Sequence, residues 1–265
     1  MNAEASAKKW KSVHTVLFIA LLLLLAIVQI VSWPALYAWF ATMLLIVLTM
    51  AVIGAGVNGL VRGILIDDRQ ALSLSRLQSV LWSVVVLGAY MTAVSVNVRA
   101  ESGDPLAIGI PAELWTVLGI SATSLIGSPL VRQPKKNREA SKKEAGRTFE
   151  IARELNIGSA KTARREGQVV VQRKPADSSI GDLFRGEEVG NWASADIGKL
   201  QLFYFTIILV ATYALSIGKL FATVDGGITE LPALNESFLV LLGISHGSYL
   251  GYKAVPHSQT PGVDD

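Results

Sequence analysis

Six stretches of this 265-residue chain are apolar for long enough to cross a bilayer, and that leaves few folds open to it. About 20 apolar helical residues span a ~30 Å hydrocarbon core. The stretches lie near 13–33, 35–57, 78–98, 110–131, 200–221 and 233–252. The second contains glycine and follows Pro34, the fourth contains glycine and proline, and the sixth carries Asn235, Glu236 and His246, so these three are the least regular. With 51% hydrophobic and 17% charged residues, the composition leaves room for one polar insert outside the lipid.

Two of these pairs of stretches resemble each other. Residues 75–90 read S-R-L-Q-S-V-L-W-S-V-V-V-L-G-A-Y, and 198–213 read G-K-L-Q-L-F-Y-F-T-I-I-L-V-A-T-Y. Residues 118–127 read L-G-I-S-A-T-S-L-I-G, and 242–251 read L-G-I-S-H-G-S-Y-L-G. The order is the same, the offsets are 123 and 124, and Pro111 and Pro232 precede the two L-G-I-S blocks. Such self-similarity marks a duplicated unit, here a pair of apolar helices. The expected fold is an all-α integral membrane protein with six transmembrane helices, an internal parallel duplication of a two-helix hairpin, and a small cytoplasmic insert.

Orientation follows from the basic residues. With the N-terminus inside, all but Arg99 and Lys219 of the 24 Lys and Arg fall on the cytoplasmic side, including Lys8, Lys9, Lys11, Arg62, Arg69, Arg76 and Lys253. The opposite loops hold Glu101, Asp104, Asp225 and Glu230. Both termini are then cytoplasmic, and a compact chain of this kind suits a cell inner (plasma) membrane. The basic start resembles a secretory signal, but the apolar run from Thr15 to Val31 is longer than a signal core and leads through Pro34 into another span. An uncleaved first helix is expected. The chain has no cysteine, which excludes disulfides, thiolate metal sites and cysteine nucleophiles.

The organisation expected is an N-terminal transmembrane hairpin (1–60), a first repeat with its cytoplasmic connector (61–131), a polar cytoplasmic insert (132–197), and a second repeat with a tail (198–265). In the insert, Arg138 to Leu155 alternates charge around Ala145, Phe149, Ile151, Ala152 and Leu155, as a helix with a thin apolar stripe would, and Asn156-Ile157-Gly158 suits its end. Val169-Val170-Val171 favours a strand, and Lys174 to Ser179 a turn. With few large apolar residues, the insert is expected to lack a substantial core of its own.

Gly54-Ala55-Gly56-Val57-Asn58-Gly59 fits the dinucleotide fingerprint letter for letter. That motif needs a short strand before it and an acid about 20 residues on. Here a span-length stretch precedes it and Asp67 and Asp68 come too early. The better reading is a small-residue helix face at Ala51, Ala55, Gly59 and Gly63. Gly243, Gly247 and Gly251 form the same four-residue spacing, matched by Gly119, Thr123 and Gly127. In lipid, helices associate by close packing and hydroxyl hydrogen bonds, so these six residues read as packing positions, between two helices of one chain or between subunits. The other reading makes Ser121, Ser124, Ser245, His246 and Ser248 a polar path for water or ions.

His246 replaces Ala122 of the first copy and is the only histidine deep in a span. Without an acid at similar depth to relay a proton, a neutral imidazole bonded to a serine or carbonyl is the plainer account. Glu113 and Glu236 sit near outer helix ends, as hydrated interfacial groups or an acidic pore mouth. Arg76 and Lys199 read as lipid-facing anchors, with Gln78 and Gln201 able to bond a neighbouring helix, and Trp82, Trp115 and Trp192 as interfacial aromatics. Arg132, Lys135, Lys136, Lys142 and Lys143 cluster after a span, as residues contacting anionic lipid or a partner do.

Interrupting glutamates and scarce aromatics speak against nucleic acid. No P-loop, H-E-x-x-H or G-x-S-x-G pattern occurs, so neither catalysis nor a cofactor or metal is expected. The leading expectation is a non-enzymatic, self-associating membrane platform that presents its insert to lipid or a cytoplasmic protein. The alternative is an ion or proton pore, or small transporter, along helices four and six.

Overall fold

The computed structural model describes residues 10–157 and 160–260. Lys8, Lys9 and Gly158, used above for orientation and for a helix end, lie outside them. The described residues form seven α-helices and one small antiparallel sheet: α1 (Ser12–Ile30), α2 (Ala35–Asn58), α3 (Leu74–Arg99), α4 (Ala112–Lys136), α5 (Lys142–Glu154), β1 (Arg164–Glu166), β2 (Val169–Val171), α6 (Ile197–Thr223) and α7 (Glu236–Ala254). Among these, α1, α2, α3, α4 and α6 are long and apolar enough to cross a membrane. The protein is therefore a multi-pass, mostly helical membrane protein. α7, which carries Glu236 and His246, is not among those helices.

Two compact units make up the chain. The first holds 10–64, 79–118 and 207–239. Pro34 caps α2, its fixed φ opening the helix after the short turn from α1. Trp39, only 1% exposed, packs on Phe221 of α6, and the buried Trp82 packs on Tyr213 with ring centroids 5.8 Å apart. Trp82 is thus a core residue and not the interfacial anchor its sequence position suggests; Trp115 remains largely exposed. Asn97 clamps a loop, donating to the Ile228 carbonyl at 2.8 Å while its Oδ1 accepts from the Ile228 N–H at 2.6 Å. Gly109 pairs with the same loop, its N–H bonding the Thr229 carbonyl and its carbonyl the Leu231 N–H.

The glycine-rich motif ends α2 and follows no strand, which removes the dinucleotide reading. Gly59 takes the left-handed conformation at φ 80° as the helix cap. A side chain at Gly54 would meet the Leu60 carbonyl at 2.8 Å and the Gly63 nitrogen at 2.9 Å. Gly63 lies beyond the helix, so the four-residue stripe does not extend to it.

The second unit holds 65–78, 119–157, 160–206 and 240–260. Here the insert folds. Ser141 caps α5 by accepting from the Glu144 N–H, so the helix starts later than the charge pattern suggests. Asn156, at φ 50°, ends it: the Asn156 N–H reaches the Arg153 carbonyl and the Ile157 N–H the Ala152 carbonyl. The valine triplet is β2, paired antiparallel with β1.

Contrary to the expectation, the insert has a core of its own. Ala140, Ala145, Ala152, Ala160, Val170, Val189 and Trp192 are buried together, with Phe149 against Trp192 at 5.5 Å. Small residues let one aromatic pair fill the space, which a count of large apolar residues misses. Trp192 is accordingly interior and not interfacial. The segment after α7 straps onto the insert: the Ser141 N–H donates to the Gln259 carbonyl, the Gln259 N–H to Glu144, and the Gly190 N–H to Ser258 Oγ.

Candidate functional site

The charged residues of the second unit converge on Glu187. The connector before α3 turns sharply at Gln70, at φ 59°, with the Asp67 N–H bonded to the Ala71 carbonyl. That turn places Asp67 so that its carboxylate accepts from the Arg69 backbone N–H at 2.9 Å and from Arg69 Nε at 3.0 Å. Arg132, near the end of α4, donates to Asp67 at 2.9 Å, to Glu187 at 3.2 Å and to Asp68. Arg69, Lys199 at the start of α6 and Lys253 at the end of α7 lie 3.3, 3.1 and 2.7 Å from Glu187. Lys135 pairs with Glu188 and donates to the Lys253 and Val255 carbonyls.

A buried ion is tolerated only when paired and hydrogen-bonded, and the cluster meets that condition. Burial alone would raise the Glu187 carboxyl, but Arg69, Lys199, Lys253 and Arg132 outweigh it and hold the group well below the usual carboxylate range. Asp67 is lowered likewise: the pull of Arg69 and Arg132 exceeds its desolvation.

This corrects several expectations. Arg132 and Lys135, 2% and 3% exposed, face neither lipid nor a partner. Lys136 is mostly buried and pairs with Asp68 and Glu166, while Lys142 and Lys143 are on the surface. Lys199 is no lipid anchor but is 2% exposed and also donates to the Arg185 carbonyl at 2.8 Å. Basic residues beside a span satisfy the positive-inside pattern whether they meet lipid or buried acids, so position alone could not separate the two. A signal was present: an acidic pair, Asp67-Asp68 or Glu187-Glu188, precedes each Leu-Gln helix start, Leu77-Gln78 and Leu200-Gln201.

A second polar group lies between α3, α4 and α7. Gln78 Nε2 donates to Ser121 Oγ at 3.2 Å and sits 2.7 Å from His246 Nε2, while His246 Nδ1 meets Ser124 Oγ. With the amide as donor, the neutral imidazole carries its proton on Nδ1 and gives it to Ser124. Gln78 thus bonds neighbouring helices, whereas Gln201 is exposed. One turn further along α4 and two along α7, Lys253 bonds Ser128 Oγ and lies 3.3 Å from the Tyr249 hydroxyl. Of the residues suggested for a polar path, Ser121, Ser124 and His246 come together. Ser245 is buried without a hydrogen-bond partner among the described residues, and Ser248 is exposed.

The glycines face the other way. Apart from their own helix backbone, Gly119, Gly247 and Gly251 have no atom within 4 Å of where a side chain would begin; Gly243 meets Ile120 only at 4.0 Å, and Gly127 meets Leu250 at 3.4 Å. Within one chain these helices are not held by backbone contact at the glycines. The stripe instead opens a cavity of about 380 Å³, lined by Gly119, Ile120, Thr123, Ser124, Gly243, His246, Gly247 and Leu250. Glu113 is half-buried and Glu236 exposed. No protein-family model matches the chain, and neither a curated protein nor a solved structure is similar to it.

Proposed function

We propose that this chain is a non-enzymatic, self-associating inner-membrane platform that holds a folded cytoplasmic domain at fixed orientation. The reading rests on Glu187. This insert residue is gripped by cations from the connector, α4, α6 and α7 at 2.7–3.3 Å, so the insert is bolted to the helix ends and not tethered by a linker. A partner protein or anionic lipid would meet the exposed face of the insert, which carries Lys142, Lys143 and Arg147.

Six spans fit this reading better than five. The segment between α6 and α7 pairs with Asn97 and Gly109 in the first unit, while the residues after α7 bond Ser141 and Glu144 of the insert in the second. A sixth span at α7, 19 residues long, would end at Lys253, among the basic residues that the proposed orientation puts on the cytoplasmic side. The acidic pairs before Gln78 and Gln201, with basic residues ending α4 and α7, extend the duplication into the connectors. Each hairpin then starts inside, related by an axis along the membrane normal.

The open cavity favours one other reading, a pore or small transporter whose path passes Ser124 and His246. Purified protein in liposomes separates the two. The platform shows no ion or proton flux and captures a partner or anionic vesicles through its insert; flux that depends on His246 supports the pore.

A further inference from the structure

We propose that the insert carries a membrane-contacting edge, a basic and apolar ridge formed by Arg173, Lys174 and Ile180 that rests in anionic lipid headgroups beside α6. Ile180 is 73% exposed at the start of a short 3₁₀ turn, although it is among the most apolar side chains in the insert. That turn is lashed to the first two turns of α6. Lys199 Nζ reaches the Asp182 and Arg185 carbonyls, the Asp196 N–H reaches the Phe184 carbonyl at 2.8 Å, and Phe184 stacks edge-on against Phe203 at 5.0 Å. Ile180 therefore lies close to where α6 begins.

On α6 itself Ile197, Leu200 and Tyr204 are exposed, so the helix start to which the turn is tied also presents apolar side chains. Arg173 and Lys174, both exposed, immediately precede this turn region. An apolar side chain with basic neighbours beside a spanning helix is what an anionic interface attracts. Such a surface draws each basic residue by enough to shift the contact equilibrium roughly fivefold. This edge is separate from the cluster of Arg132 and Lys135, whose charges are spent inside the protein. The inference rests on α6 spanning the bilayer.

The absence of cysteine makes the test direct. Ile180→Cys and Leu215→Cys both replace exposed side chains and would each carry one environment-sensitive fluorophore. The labelled full-length protein is reconstituted in vesicles of phosphatidylglycerol and phosphatidylcholine containing lipids spin-labelled near the headgroup or deep in the chain. The expected result is blue-shifted emission at 180, quenched by the shallow label, with 215 quenched by the deep one. In pure phosphatidylcholine, or with Arg173→Glu and Lys174→Glu together, the quenching at 180 should weaken several-fold. A water-exposed label at 180 overturns the proposal. So does a label shielded from aqueous quencher yet untouched by the lipid quenchers, which would mean that a second copy covers the edge. Loss of deep quenching at 215 would refute the spanning of α6 and this inference with it; a normal 215 and an aqueous 180 would refute the inference alone.

Discussion

Replacing Glu187 with glutamine should unlock the insert, and the structure sets the size of the effect. The substitution keeps the shape but removes the charge shared by Arg69, Arg132, Lys199 and Lys253. Arg69 and Arg132 retain Asp67, whereas among the described residues Glu187 is the only carboxylate within ion-pair distance of Lys199 and Lys253. Stranding a buried charge by removing its partner costs about 3–5 kcal/mol. For a chain of this size that lowers the thermal midpoint by on the order of 10 °C. The assay is a thermal scan of detergent-purified protein at one fixed rate, with limited proteolysis of the insert as a local readout. Removing a lysine as well, in Glu187→Gln with Lys253→Met, should recover part of the loss, because two absent charges are cheaper than one left unpaired. A Glu187→Gln protein within about 1 kcal/mol of wild type would show that the network does not fasten the insert.

Acid should have a related effect. Glu187 and Asp67 are both held below their usual range, so the stability they contribute is full above the ordinary carboxylate range and is lost as pH falls through their folded values. The thermal midpoint should hold from pH 8 to about pH 5 and drop below about pH 4, less steeply in Glu187→Gln. Gly247→Leu points a side chain into open space; the monomer should keep its thermal midpoint while light scattering shows the proposed self-association lost, and self-association unchanged by the substitution would show that this face meets lipid. His246→Ala leaves Gln78 and Ser124 short of a partner, a cost of about 1–3 kcal/mol. Wild-type liposomes should show no proton flux; a flux that disappears in His246→Ala would favour the pore.

The helices were legible because lipid makes length and apolarity diagnostic, and the cap at Asn156, the valine strand and the Gln78 hydrogen bonds follow from local chemistry. What the sequence hid were long-range pairings. Asp67 and Glu187 are 120 positions apart and meet only once the connector turn and the insert are both folded. The same L-G-I-S blocks hold two stripes, one of serine and one of glycine. Spacing shows that both exist, but not that Ser121, Ser124 and Ser128 point inward while Gly119 and Gly247 point out. Small residues likewise hid the core of the insert, since Ala145, Ala152 and Ala160 carry little apolar weight yet admit Trp192.

The most direct test of the whole account is sidedness, read by single cysteines in this cysteine-free chain and a membrane-impermeant thiol reagent. Asp104→Cys, Arg147→Cys and Gln259→Cys probe the loop after α3, the surface of α5 and the strap after α7. The account predicts that position 104 is labelled in intact spheroplasts, while 147 and 259 are labelled only after lysis. Labelling of 147 from outside would invert the topology, and labelling of 259 together with 104 would show that α7 does not cross, removing the sixth span and the parallel duplication.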